Sequence, residues 1–168
     1  QSAHADSLLA FEHGGASLSF ETRGNKRTLL AQIGEFSAEA VLTPTITESV
    51  TLCTPFSRPN EFYYNEKVNL LRANVSVRLG ETKVEFDPDK TFSLLDWGRG
   101  VWPRSHEWYW SSVSTLLGGA PFGFNLGCGF GDDERARGTE NIVYYSGQVV
   151  KLGRMRFTME DPGDPMRP

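Results

Sequence analysis

The residues best suited to chemistry crowd into the second half of the chain. All four tryptophans, Trp97, Trp102, Trp108 and Trp110, fall within one segment, DWGRGVWPRSHEWYW. Indole is a large apolar plate with one N–H donor that needs a partner when buried. Such a cluster makes either a packed plug or the wall of a ligand cavity. Trp108 and Trp110 are two apart and so share a strand face with His106 and Ser112. Asp96 opens the segment and Arg99 follows it closely. An aspartate desolvated among tryptophans suits a general acid, whereas an adjacent arginine would hold it ionised in a buried pair that fastens the segment. Asp96 and Arg99 are therefore the candidate catalytic residues, and the paired alternative stays open beside them.

Three further strings carry polar groups in β-rich surroundings. FGFNLGCGFG places Phe122, Phe124, Leu126, Cys128 and Phe130 on one face and Gly123, Asn125, Gly127, Gly129 and Gly131 on the other. A face stripped of side chains admits another backbone, bends at a barrel corner, or leaves volume inside a barrel, where Asn125 would meet a ligand. FYYNEKVNL puts Tyr63, Asn65, Lys67 and Asn69 on one face, and Tyr63 and Asn65 join the ligand-binding candidates. GDDERARGTEN carries Asp132, Asp133, Glu134 and Glu140 without the spacing of a calcium loop, so a solvated hairpin tip is its default reading. Asp96 with Asp132 or Glu140 would make a glycosidase pair only at a carboxylate separation of about 5 to 9.5 Å. His4, His13 and His106 form no zinc-binding pair, and Cys53 and Cys128 lack C-x-x-C spacing. No metal site and no cofactor is implied.

Strands must position these groups. Leu18 and Phe20 share a strand face, as do Phe36, Ala38, Ala40 and Leu42, and again Val75, Val77 and Leu79. Gly14-Gly15, Gly24-Asn25, Gly80-Glu81, Gly118-Gly119 and Ser146-Gly147 supply turns between such runs. The best helix candidate, residues 26–40, is interrupted by Gly34 and alternates from Phe36 onward. The expectation is all-β: about ten to twelve antiparallel strands in a barrel or strongly curved sheet. Residues 1–59 read as an antiparallel segment, 60–159 as a Trp- and Gly-rich barrel domain, and 160–168 as a Pro-rich arm. Thr54 to Pro59, with two prolines, reads as a crossing between sub-sheets.

The 168 residues suffice for one domain, and 39% hydrophobic with 23% charged residues fits a soluble chain. A net charge of −4 argues against a general nucleic-acid binder. No apolar run reaches the roughly 20 residues of a membrane-spanning helix. Opening on Gln1 reads as a trimmed polypeptide whose targeting segment is gone, and two free thiols fit a reducing, cytoplasmic compartment.

The strings FYYNEKVNLL, VRLGETKVEFDPDKTFSLLDWGRGVWP, EWYWSS, FGFNLGCGFGD and TENIVYYSG, in that order, resemble the bacterial family catalogued as domain of unknown function 2804. The likeness runs from about Asn60 to Phe157. More distantly, the Asp-Trp-Gly segment followed by a Trp-rich strand is similar to hydroxyneurosporene synthase and related calycin-like proteins. That resemblance implies lipocalin-like barrels, some of which hydrate or cyclise hydrophobic substrates without a metal or redox cofactor. It would make Asp96 the acid, Trp97, Trp102, Trp108 and Trp110 the aromatic wall, and Asn125 the group on the opposing strand. The expected function is a barrel that binds a hydrophobic small molecule, extended to a hydratase, cyclase or isomerase if Asp96 acts as acid. The alternatives are a structural subunit whose open edges a partner chain completes, and a carbohydrate-binding or carbohydrate-active protein.

Overall fold

The computed structural model describes residues 6–129 and 138–158. The Pro-rich arm at 160–168 and the carboxylates Asp132, Asp133 and Glu134 lie outside the described residues. Alternation produces strands wherever turn chemistry brackets it, and all the glycine-containing turns anticipated from the sequence separate consecutive strands. The strands are β1 (Ser7–His13), β2 (Ala16–Arg23), β3 (Lys26–Ile33), β4 (Phe36–Pro44), β5 (Val50–Pro55) and β6 (Phe62–Leu79). They continue as β7 (Thr82–Glu85), β8 (Phe92–Val101), β9 (Tyr109–Leu117), β10 (Ala120–Cys128), β11 (Ile142–Tyr145) and β12 (Gln148–Lys151). Gly14 and Gly15, at φ 57° and 79°, show why glycine is needed at these two-residue turns, whose central positions both require left-handed backbone. No helix among the described residues is long and apolar enough to cross a membrane.

The strands form two antiparallel sheets, one of eight strands and one of four. β6, 18 residues long, organises the larger sheet. β4 and β5 pair with successive parts of one of its edges, and β7 and β8 with the other. The smaller sheet runs β12-β11-β10-β9. No pairing among the described strands closes either sheet, so the architecture is an open, curved sheet packed on a second one, not a closed barrel. The boundary expected at residue 59 does not separate sheets, because β4 and β5 before it both pair with β6 after it. Thr54 to Pro59 is likewise no crossing. It turns the chain from β5 back onto β6, with Pro55 ending a strand that lies last in the sheet order, where a missing N–H is tolerated. The passage between sheets comes later, from β8 to β9 across Trp102 to Trp108.

A bulge in β6 joins the two sheets. Val68 pairs with Leu95 and Leu71 with Ser93, so Asn69 and Leu70 together face Leu94 alone, one residue in excess, and Leu70 sits at φ 57°, a strained angle for a leucine. Its backbone groups find partners outside the usual ladder: its N–H donates to Ser114 Oγ at 3.0 Å, and its carbonyl accepts from Thr45 Oγ1 at 2.7 Å. Both side chains of the bulge reach the second sheet. Asn69 Nδ2 donates to Ser112 Oγ at 2.8 Å and to the Phe124 carbonyl at 3.1 Å, while Leu70 packs with Val50, Ile142 and Tyr144. The bulge also changes the phase of alternation. Val68, Leu71 and Ala73 consequently meet Leu42 in a second core cluster on the other side of β6.

Candidate functional site

The β6–β8 register explains the alternation in DWGRG. Asp96 stands opposite Lys67, Gly98 opposite Asn65 and Gly100 opposite Tyr63, so acid and glycines share one face. A Cβ on Gly98 would come within 2.5 Å of the Tyr63 ring, and one on Gly100 would strike the Phe62 carbonyl oxygen. The glycines form a floor across which Tyr63 lies. Its ring meets Trp102 at 5.3 Å between centroids. Burial first, and then the charge of Asp96, push the Tyr63 hydroxyl up to about 12.

Lys67 is the electrostatic centre of this face. Its Nζ lies 2.9 Å from Asp96 Oδ2, 3.4 Å from Glu140 Oε2 and 4.4 Å from the centre of the Trp110 ring. The side chains of Lys67 and Glu140 are each only 7% exposed, against 37% for Asp96. The ammonium is thus buried but satisfied by two carboxylates and an indole face. Asn65 Nδ2 donates to Glu140 Oε2 at 3.3 Å, and the Asn65 Oδ1 has no protein partner although the residue is 1% exposed.

The Thr139–Asn141 segment brings Glu140 in. A Cβ on Gly127 would collide with the Glu140 carboxylate, so the glycine face of β10 is where this side chain lies. Gly123 similarly yields space to Leu70. Asn141 fixes the segment by accepting from the Gly127 N–H at 2.6 Å and donating to the Gly153 carbonyl at 2.9 Å. Asn125, fully buried, accepts from Trp110 Nε1 at 2.8 Å and donates to the Glu140 carbonyl at 2.9 Å. One amide therefore orients both the indole and the acid.

The result is a cavity of about 310 Å³ lined by Tyr63, Lys67, Asp96, Trp102, Trp108, Trp110 and Glu140. The face of Trp108 is partly taken by His106, stacked at 5.8 Å, yet the residue remains 53% exposed. The formal charges of Lys67, Asp96 and Glu140 sum to −1, and the cluster sets carboxylate hydrogen-bond acceptors beside indole faces on which a ring can stack.

The sequence candidates divide accordingly. Asp96, Tyr63, Trp102, Trp108 and Trp110 line the cavity; Asn65 lies against Glu140, and Asn125 acts from behind Trp110. Trp97 and Arg99 do not join them. Both are an odd number of residues from Asp96 on a strand, which turns them to the opposite face. Trp97 packs edge-on against Tyr64 at 5.9 Å, and exposed Arg99 stands opposite Tyr64 in the ladder. The ion partner of Asp96 is Lys67, not Arg99. Lys67 and Glu140 are the groups whose importance the sequence understated. Lys67 had a signal in its phase with Tyr63 and Asn65, whereas Glu140 had none beyond its charge. Cys53 and Cys128 are free thiols, and no cluster among the described residues has the donors to hold a metal ion.

The model of the family described as Domain of unknown function (DUF2804) matches residues 1–168. The chain belongs to the DUF2804 family. The match takes in the first sixty residues, which carry none of the strings quoted above. Comparison with curated proteins and with solved structures found no match, and so gives no link to hydroxyneurosporene synthase. In this DUF2804 protein the quoted strings are the elements of one cavity. DWGRG supplies the acid and its floor, EWYW two indoles, FGFNLG the amide support, and TEN the second carboxylate.

Proposed function

We propose that this protein binds a hydrophobic, ring-bearing small molecule that also carries a hydroxyl group. The ring lies against Trp102 and Trp108, and the hydroxyl donates to Asp96. The observation that carries the reading is the meeting of three indoles with the Lys67–Asp96–Glu140 cluster in one cavity. Indole faces favour a flat or cyclic hydrocarbon. The net negative cluster favours a neutral donor over an anion. Tryptophan fluorescence titrated with naphthol and with naphthoate tests this. Saturable quenching by naphthol, weaker for naphthoate and lost in Trp108→Ala, is expected. Equal response to both, or full retention in Trp108→Ala, refutes it.

A second reading extends binding to proton transfer. Asp96 is the most exposed charged group of the cluster and touches both Lys67 and the cavity, the placement needed to exchange a proton with a bound alkene or enol. Asp96→Asn should then abolish turnover of such a ligand while leaving naphthol quenching in place. The alternative of a subunit completed by a neighbour is favoured by apolar side chains left exposed on β1 and β2, such as Phe11 at 58% and Phe20 at 43%. Sedimentation over a range of concentrations tests that reading, and a monomer throughout removes it.

A further inference from the structure

The larger sheet has a second concavity on the opposite side of β6–β8. Leu9, Phe20, Leu29, Ala40 and Val75 stand in register across β1, β2, β3, β4 and β6, a row of apolar side chains on one face. The next row toward the β2–β3 turn contains Thr22, Arg27 and Leu42. β8 belongs to the other edge of β6, yet its Leu95 and Trp97 line the same cavity as Leu9 of β1. The sheet therefore curls until its first strand approaches β8. The space enclosed is about 300 Å³. At the roughly 30 Å³ that a water-sized group occupies, that admits about ten heavy atoms, a decyl chain counted without its head group.

We propose that this trough is a binding site for a medium-chain carboxylate. Its hydrocarbon lies against Leu9, Phe20, Leu29, Leu95 and Trp97, and its head group meets Arg27. Phe20 and Leu9, 43% and 44% exposed, gain cover from such a chain. Arg27 is 8% exposed and lines the polar end of the cavity. It is already engaged within the protein, but guanidinium presents five N–H donors in a fork that matches a carboxylate, so an intramolecular partner does not exhaust it. Glu21, the carboxylate at the same end, has its own partner in Arg23 Nε at 2.6 Å. The two cavities thus have opposite preferences. The tryptophan cavity favours a neutral donor, and the trough selects an anion.

Trp97 lines the trough and the other three tryptophans line the first cavity, which gives a site-specific test. Decanoate, decanol and decyltrimethylammonium are titrated calorimetrically into the wild-type chain, and ω-bromodecanoate is used as a fluorescence quencher. One-to-one binding of decanoate is expected, at least about tenfold tighter than decyltrimethylammonium, as a charge-assisted hydrogen bond implies. Quenching disappears in Trp97→Phe while decanoate still binds, and Arg27→Met brings decanoate to the affinity of decanol. Affinity independent of the head group, absence of saturable binding, or quenching that persists in Trp97→Phe overturns the proposal. The wild-type ranking decides even if Arg27→Met does not fold. Naphthol quenching at Trp108 reports separately on the first cavity.

Discussion

Replacing Lys67 with methionine keeps most of the side-chain volume and removes the ammonium. Glu140 then remains 7% exposed with Asn65 as its polar neighbour and loses the ammonium at 3.4 Å, leaving the more distant Lys151 as the cation among the described residues whose charge it still feels. Breaking a buried pair from one side costs about 3–5 kcal/mol, because the surviving ion is left desolvated. Asp96, with a side chain 37% exposed, recovers solvation and adds little to the loss. At a urea m-value of about 2 kcal/mol/M, the unfolding midpoint should fall by about 1.5–2.5 M. The double variant Lys67→Met/Glu140→Gln removes both charges, and the glutamine oxygen can still accept from Asn65. It should recover at least half of the loss. Urea unfolding of wild type, both single variants and the double variant closes the cycle. A Lys67→Met midpoint within about 0.5 M of wild type, or a double variant no more stable than the single, would refute the assignment of Lys67 as counter-ion to a buried Glu140.

Three further outcomes follow from the same geometry. Gly98→Ala forces the Tyr63 ring aside and should cost about 1–3 kcal/mol by thermal melting, with Gly100→Ala worse because it meets the Phe62 backbone, which cannot rotate away. Asn125→Ala leaves the Glu140 carbonyl without its donor inside the protein, a cost of about 1–3 kcal/mol, and frees Trp110, which a red shift in emission would register. Burial raises the hydroxyls of Tyr63 and Tyr144 to about 12, so the native state binds more protons than the unfolded chain between pH 10 and that value. Their contribution to stability is complete below pH 10 and fades as pH rises toward about 12. Absorbance titration should show two late tyrosine ionisations, and Tyr63→Phe should remove one of them.

Much of the fold was legible because strand alternation and turn chemistry are local. The glycine-bearing turns were found where the sequence put them, and the even spacing of Tyr63, Asn65 and Lys67 fixed their common face without reference to any other strand. The same odd–even rule separates Asp96 from Trp97 and Arg99 once DWGRG is known to be strand. The β6 bulge was not legible. Nothing in Val68-Asn69-Leu70-Leu71 marks it, since the left-handed leucine is sustained by Thr45, Val50, Ser114, Ile142 and Tyr144, contributed by other parts of the chain.

Taken alone, the sequence determined an all-β chain, its turns, the faces shared along each strand, and the residues capable of stacking and charge. These follow from covalent geometry and residue type. Tertiary structure alone decided that the sheets stay open, that the glycines of β10 yield their volume to Leu70 and Glu140, and that Lys67 rather than Arg99 answers Asp96. Each depends on which strands lie side by side and in what register, a choice made by long-range burial that no local spacing records.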